Sequence, residues 1–275
     1  MSRRLNLFFF CGLLAGLICD AAPVRVRLQT VAGEQKSNLT GALESRAGGS
    51  VSFMPAGAES AIQIPVNQIV AIQFAVGKTD EEEVAALLND GNYHEAEAVL
   101  SRRIADWRPY FDLPSNAGGQ LVQWLAVSYW IGDYDRALEF AGALAKHPDE
   151  VKAAAQFYSR LIELEKGGYE TVDAFLKTPD GEALFPNESA ARLYMDARIL
   201  QHRKEYTPAI RTAALLLAVH SAAADWVPKT ELLCAELYFQ LNMPESAQAV
   251  LADIKEFYSD PNIQKKAAEM AAAKK

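Results

Sequence analysis

Cysteine is scarce: there are three in 275 residues, and two of them, Cys11 and Cys19, fall in the first 22. Cys234 alone cannot build a disulfide framework. It stands among Leu232, Leu233 and Ala235 and reads as a small buried hydrophobe rather than a reactive thiol. Histidine is nearly as rare. His94, His147, His202 and His220 form no His-x-x-x-His pair on a helix face, so zinc-protease chemistry has no ligand set. Basic charge is in deficit, with 27 Lys+Arg against 35 Asp+Glu and a net charge of -8, which disfavours a nucleic-acid binder. Gly118-Gly119 and Gly167-Gly168 lack the Lys-Ser/Thr or the third Gly of a phosphate loop, and no Gly-x-Ser-x-Gly elbow is present. Outside the N-terminus no apolar run reaches the roughly 18 to 20 residues of a membrane span. No catalytic residue, no metal and no cofactor is expected from this pattern.

What is present first is an export signal. Arg3 and Arg4 supply a positive start, Leu5 to Cys19 is apolar apart from Asn6, and Ala21 and Ala22 offer small residues for cleavage. Removing the first 21 residues takes away Arg3, Arg4 and Asp20 and leaves 25 basic against 34 acidic side chains, net -9. An uncleaved anchor and lipidation at Cys19 are the alternatives.

From residue 24 the chain alternates with period two, the mark of half-buried strands. Val24, Val26 and Leu28 share one side, as do Leu39, Gly41 and Leu43, then Val51 and Phe53 after the Gly48-Gly49 turn, Ile62 and Ile64, and finally Val70, Ile72, Phe74 and Val76. Five short strands in about 50 residues must hide their edges, and closure into a small barrel is the economical solution. The order, ending in Ile64-Pro65-Val66-Asn67-Gln68-Ile69-Val70, resembles an Sm-like or SH3-like small β-barrel.

After Gly77 the period changes to that of helices. Gly91-Asn92-Tyr93, Gly132-Asp133-Tyr134 and Gly167-Gly168-Tyr169 share one pattern, Lys204-Glu205-Tyr206 copies it without Gly, and Asn242-Met243-Pro244 without Gly or Tyr. Three residues past each aromatic or its substitute comes a small side chain: Ala96, Ala137, Val172, Ala209 and Ala247. The first residue of the pattern stands at 91, 132, 167, 204 and 242, so the unit recurs every 35 to 41 residues. A fixed period of this size signals stacked helix-turn-helix units.

These motifs, with Gly132-Asp133-Tyr134-Asp135-Arg136-Ala137-Leu138 the best match, resemble the tetratricopeptide repeat (TPR) family over roughly residues 80–262. Val172 in place of Ala, and the long connections Pro109 to Gly119 and Thr178 to Ser189, depart from the family pattern. The expected fold is mainly α: a TPR-like α-solenoid of about five helix-turn-helix units preceded by a small all-β barrel. The expected layout is a signal peptide at 1–22, the barrel at 24–77, repeats at 79–262 and a helical tail at 263–275.

The resemblance implies a concave groove lined by the first helix of each unit. It places there Gln123, Val127 and Trp130, then Tyr194, Arg198 and Gln201, then Glu236 and Phe239. Trp130, Tyr194 and Phe239 equally suit packing between units. Arg198 is the most specific of the set, since a guanidinium can grip a carboxylate through two hydrogen bonds. Trp107-Arg108-Pro109-Tyr110-Phe111 is either a docking knob or a plug over the first units. The implied function is a secreted or periplasmic scaffold that binds a segment of a protein partner in the groove. The alternative is an accessory component of a cell-envelope complex of the Tol/Ton energy-transducing type.

Overall fold

The computed structural model describes residues 24–75, 78–145, 147 and 149–273. The expected export signal therefore lies outside the described residues, as do 76–77 at the junction between the two halves.

Period-two alternation gives five strands: β1 (Val24–Ala32), β2 (Gln35–Ala47), β3 (Ser50–Pro55), β4 (Ile62–Pro65) and β5 (Ile69–Phe74). They form one antiparallel sheet in the order β4-β3-β2-β1-β5. Val26, Leu28, Leu43, Val51, Phe53, Ile64, Ile72 and Phe74 are buried on one face, as the alternation predicts. Val70 breaks the pattern and is exposed. Thr30 pairs with Ile69 and Gln29 with Ala71, so Val70 is the extra residue of a β-bulge and turns outward. At Gly41 the neighbouring strand passes so close that a Cβ would lie 2.0 Å from the Met54 carbonyl oxygen.

The sheet is open, which corrects the expected barrel. The outer edge of β5 is not closed by β4. It is taken instead by the connection between the first two helical units. The Ile72 N–H donates to Pro114 O (2.8 Å), and the Asn116 N–H donates to Ile72 O (3.2 Å). The Asn116 side chain accepts from the Phe74 N–H (2.8 Å) and donates to Phe74 O (3.0 Å). An edge satisfied in this way has no need to curl round to its fellow strand. Trp107 stacks on Phe74 with centroids 4.4 Å apart, and Trp107, Tyr110 and Phe111 are all buried. The aromatic segment is thus a plug. His147, also buried, donates from Nε2 to Phe111 O at 2.7 Å and fixes the far end of that connection.

Among the described residues, the helical half is built of five helix pairs. They are α1 (Lys78–Asn89) with α2 (Tyr93–Ile104), α3 (Gly118–Trp130) with α4 (Tyr134–Leu144), and α5 (Asp149–Glu165) with α6 (Tyr169–Leu176). After the inserted α7 (Pro179–Leu184) follow α8 (Ala190–His202) with α9 (Tyr206–Val219), and α10 (Val227–Gln240) with α11 (Pro244–Phe257). Each turn is closed by one residue of positive φ: Gly91, Gly132, Gly167, Lys204 and Asn242. In the second unit the Asp133 N–H donates to Ser128 O and the Gly132 N–H to Tyr129 O, and the other four turns repeat this pair of bonds. This is the left-handed helix terminator that favours Gly. Lys204 and Asn242 adopt it with φ of 63° and 59°.

The small residue of every repeat, Ala96, Ala137, Val172, Ala209 and Ala247, is fully buried. The second helix of each pair starts at the aromatic or its Pro substitute, and the small residue then falls one turn in, against the first helix. Ala137→Leu should therefore overpack this contact and cost about 1 to 3 kcal/mol. Ala42→Leu, at a half-buried strand position beside a ≈ 880 Å³ cleft, should cost clearly less. Thermal melting of the two variants checks the repeat register.

The array does not stay open. The Tyr93 hydroxyl of the first unit bonds Asp225 before α10. Trp130 stacks on Tyr93 (5.6 Å) and meets Trp226 edge-on (5.1 Å). The expected tail is a helix, α12 (Pro261–Ala273). It packs on α10 and α11, and Asn262 Nδ2 donates to Ile131 O (2.8 Å) in the turn of the second unit. Sheet and repeats share one buried cluster that runs from Val26 to Leu237.

Candidate functional site

The inner helices α3, α5, α8 and α10 bring a polar cluster together on the inner face. Its centre is a buried ion pair: Lys229 Nζ lies 2.7 Å from Glu165 Oε1, with the side chains 12% and 10% exposed. The Lys229 ammonium also donates to the Tyr129 hydroxyl (2.5 Å). Aromatic rings surround it, with Tyr129, Tyr194 and Trp130 centroids at 4.3, 5.2 and 5.4 Å. Cation–π attraction from three rings is strongest where water is excluded.

Next to this pair, Arg198 Nη1 lies 3.2 Å from Glu236 Oε2 and Nη2 donates to the Tyr169 hydroxyl (3.3 Å). Gln201 Nε2 donates to the same Glu236 oxygen (3.0 Å), and Gln201 Oε1 accepts from Arg198 Nη1 (3.2 Å). The Tyr194 hydroxyl donates to Glu165 Oε1 (3.2 Å). Arg198 Nε is buried and has no hydrogen-bond partner among the described residues.

The electrostatics follow from burial and pairing. Desolvation opposes the charge on Glu165, but Lys229, Arg198 and Lys266 outweigh it and hold the carboxyl below its usual range. Desolvation pushes Lys229 below the usual lysine range, with Glu165 opposing that fall. Burial raises the Tyr129 and Tyr194 phenols well above theirs, and the Glu165 carboxylate adds to the effect. The Cys234 thiol is pushed up to about 12 by burial, which leaves it unreactive.

The structure thus gathers four of the eight residues expected in the groove: Tyr194, Arg198, Gln201 and Glu236. Trp130 borders them across Lys229. Three others lie outside this cluster. Val127 is fully buried in the main core and presents no surface to a partner. Phe239 is partly buried against the cluster that includes Ala267 of α12. Gln123 is half-buried on α3. Arg198 has a carboxylate within the chain, that of Glu236. Both stand six residues before the positive-φ residue of their own turn, Lys204 and Asn242, so adjacent units present them to each other.

Tyr129, Glu165, Tyr169 and Lys229 were not expected. The register that selects Trp130, two residues before Gly132, also selects Glu165, two before Gly167. Lys229 gives no such signal, since a buried lysine is explained only by partners distant in sequence.

A ≈ 450 Å³ cleft opens onto this cluster, lined by Glu165, Tyr194, Arg198, Lys229 and Glu236 together with residues of α12. No protein-family model matches the chain, and no curated protein matches its sequence. Among solved structures, the chain is similar to a thermophilic TPR protein of Thermus thermophilus, with a TM-score of 0.43 and 19% identity. The match covers 71% of this chain and 98% of the other. The helix pairs, their repeated turns and their stacking establish the fold of this chain as a TPR-like helical repeat.

Proposed function

We propose that this protein is an exported protein–protein interaction scaffold whose inner face takes a segment of a partner protein. A TPR-like repeat fold is suited to that role, because stacked units expose a long inner surface without needing a catalytic centre. The observation that supports the reading is the cluster of Arg198, Gln201, Glu236 and Tyr169, offered by consecutive units, of which Arg198 and Glu236 line a cleft. Export is supported by Arg3-Arg4, the short apolar run and the small residues at 21 and 22.

The test is a photo-crosslinker placed in the full chain at Gln201, half-buried beside the cleft, or at Leu215, 46% exposed on α9. In the native host, position 201 should give a protein adduct and position 215 none. Adducts from 215 alone would move the binding surface to the outer helices. Mass spectrometry of the same sample should find the N-terminus after residue 21 or 22, and an intact Met1 would remove the cleaved-export half of the reading.

A further inference from the structure

Helix α12 lies along the inner face where a bound segment would lie. Its first turn is held firmly. Asp260 Oδ1 accepts from the N–H groups of Asn262 (2.8 Å) and Ile263 (2.9 Å). Gln264 Nε2 donates to Ile254 O (3.1 Å) and Lys255 O (3.2 Å). Beyond Gln264 the hold is slight. Ala267 is the single buried residue of α12, and Met270 and Ala271 are partly covered. Among the described residues, no hydrogen bond or ion pair joins a side chain of 265–273 to another element; Lys265 faces Glu269 within the helix at 4.0 Å.

The surface beneath is built to receive such a helix. Clefts of ≈ 650 and ≈ 450 Å³ flank α12. Without α12 and its Asp260 cap, their walls hold Asp90, Glu165, Asp225 and Glu236 against Arg198 and Lys229. To these clefts α12 brings Lys265, Lys266 and one carboxylate, Glu269, a net of one positive charge; Lys265 faces Glu269, and the charge of Lys266 acts on Glu165. The apolar contact is made by Ile263, Ala267, Met270 and Ala271, two large and two small side chains, with Ala267 the buried one, against Leu232 and Ala235 of α10. Small residues let a helix backbone come close, and lysines at its flank answer the carboxylates.

Resting on the scaffold reading above, we propose that the inner face binds a cationic amphipathic helix of a partner protein with a small apolar face, and that α12 is the intramolecular occupant which the partner displaces. The linker before α12 is a few residues long, so α12 competes at an effective concentration in the millimolar range. The resident helix thereby sets a threshold that a partner of the right chemistry must exceed.

The test uses the full chain and, as probe, a fluorescent synthetic peptide of residues 261–275. Ala267→Glu places a charge at the one buried position of α12 and should dislodge it. The variant should then bind the peptide about tenfold or more tighter than wild type in fluorescence anisotropy. A peptide with Lys265 and Lys266 changed to Glu should bind more weakly. Asn262→Ala, which loosens the anchor without adding charge, should give a smaller gain and serves if Ala267→Glu does not fold, as judged by circular dichroism. In hydrogen exchange on wild type, residues 265–273 should exchange much faster than α10.

Equal peptide affinity for wild type and both variants would overturn the proposal, as would exchange in 265–273 as slow as in α10. Dimerisation of wild type at high concentration, by light scattering, would assign the surface to α12 of a second copy and overturn the partner-helix assignment. An adduct at Gln201 that excess peptide fails to suppress would leave the scaffold reading standing and remove this one.

Discussion

Glu165→Gln will destabilise the fold by about 3 to 5 kcal/mol, although Gln matches Glu in shape. The loss arises because the Lys229 ammonium, 12% exposed and 2.7 Å from the Glu165 carboxylate, is left in the interior without its counter-charge. The three aromatic rings around it and the Tyr129 hydroxyl soften that loss but carry no negative charge. The double variant Glu165→Gln, Lys229→Met should recover most of the stability, since neither member of the pair then carries a charge to be desolvated. Urea unfolding of the three variants and wild type forms the cycle, and a double variant no better than Glu165→Gln would contradict it.

The same pair fixes the acid limb of the stability profile. Glu165 is held below its unfolded value, so between the two values the unfolded chain binds more protons than the folded one. Stability from this group is complete above the usual carboxylate range and is lost as pH falls through the lowered value. Glu165→Gln should flatten that part of the acid limb, on top of its loss at neutral pH.

Trp107→Ala will loosen the sheet and the first helical units together. Trp107 is 8% exposed and its ring stacks on Phe74, so truncation opens a cavity at the seam, with an expected loss of about 3 to 5 kcal/mol. Asn116→Ala attacks the same seam differently, since it leaves the Phe74 N–H and C=O without partners, at about 1 to 3 kcal/mol each. Limited proteolysis of either variant should speed cleavage within 24–75. A sheet as well protected as in wild type would show that it holds its fold without the helical half, as the change of hydrophobic period near Gly77 alone would lead one to expect.

The parts of this structure that were legible in the sequence are those decided locally. A left-handed turn residue, an aromatic (Pro in the fifth) two places on and a small residue three places after it describe one helical hairpin, and all five hairpins formed where that grammar put them. Lys204 and Asn242 show that the grammar survives loss of Gly when the surrounding units impose the turn. Strand alternation was legible for the same reason. The open sheet was not, because the edge of β5 is satisfied by Asn116, some forty residues on, and nothing in a strand reveals what will cover its edge. The bulge at Val70 was equally hidden, since an apolar residue gives no sign of having turned outward.

In the site, Arg198 was found from its register, but its partner was not. Glu236 lies one repeat away, and recognising the pair requires the registers of two units to be compared rather than each read alone. Lys229 lay beyond reach: its burial depends on Glu165, Tyr129, Trp130 and Tyr194, residues from three other helices.

The contact of Tyr93 and Trp130 with Asp225 and Trp226 also bears on how the molecule is made. A linear stack of repeats gains stability one neighbour at a time, and its early units can settle while later ones are still being synthesised. Here the earliest unit finishes its packing on residues that emerge some 130 positions later. The chain must therefore stay incompletely packed until its last helices are available, with Trp130 waiting for Trp226. Such long-range closure slows folding and leaves the nascent chain with exposed apolar surface. In the finished molecule the same closure joins first unit to fifth, so that strain applied at one end is shared around the circuit instead of peeling off a terminal repeat.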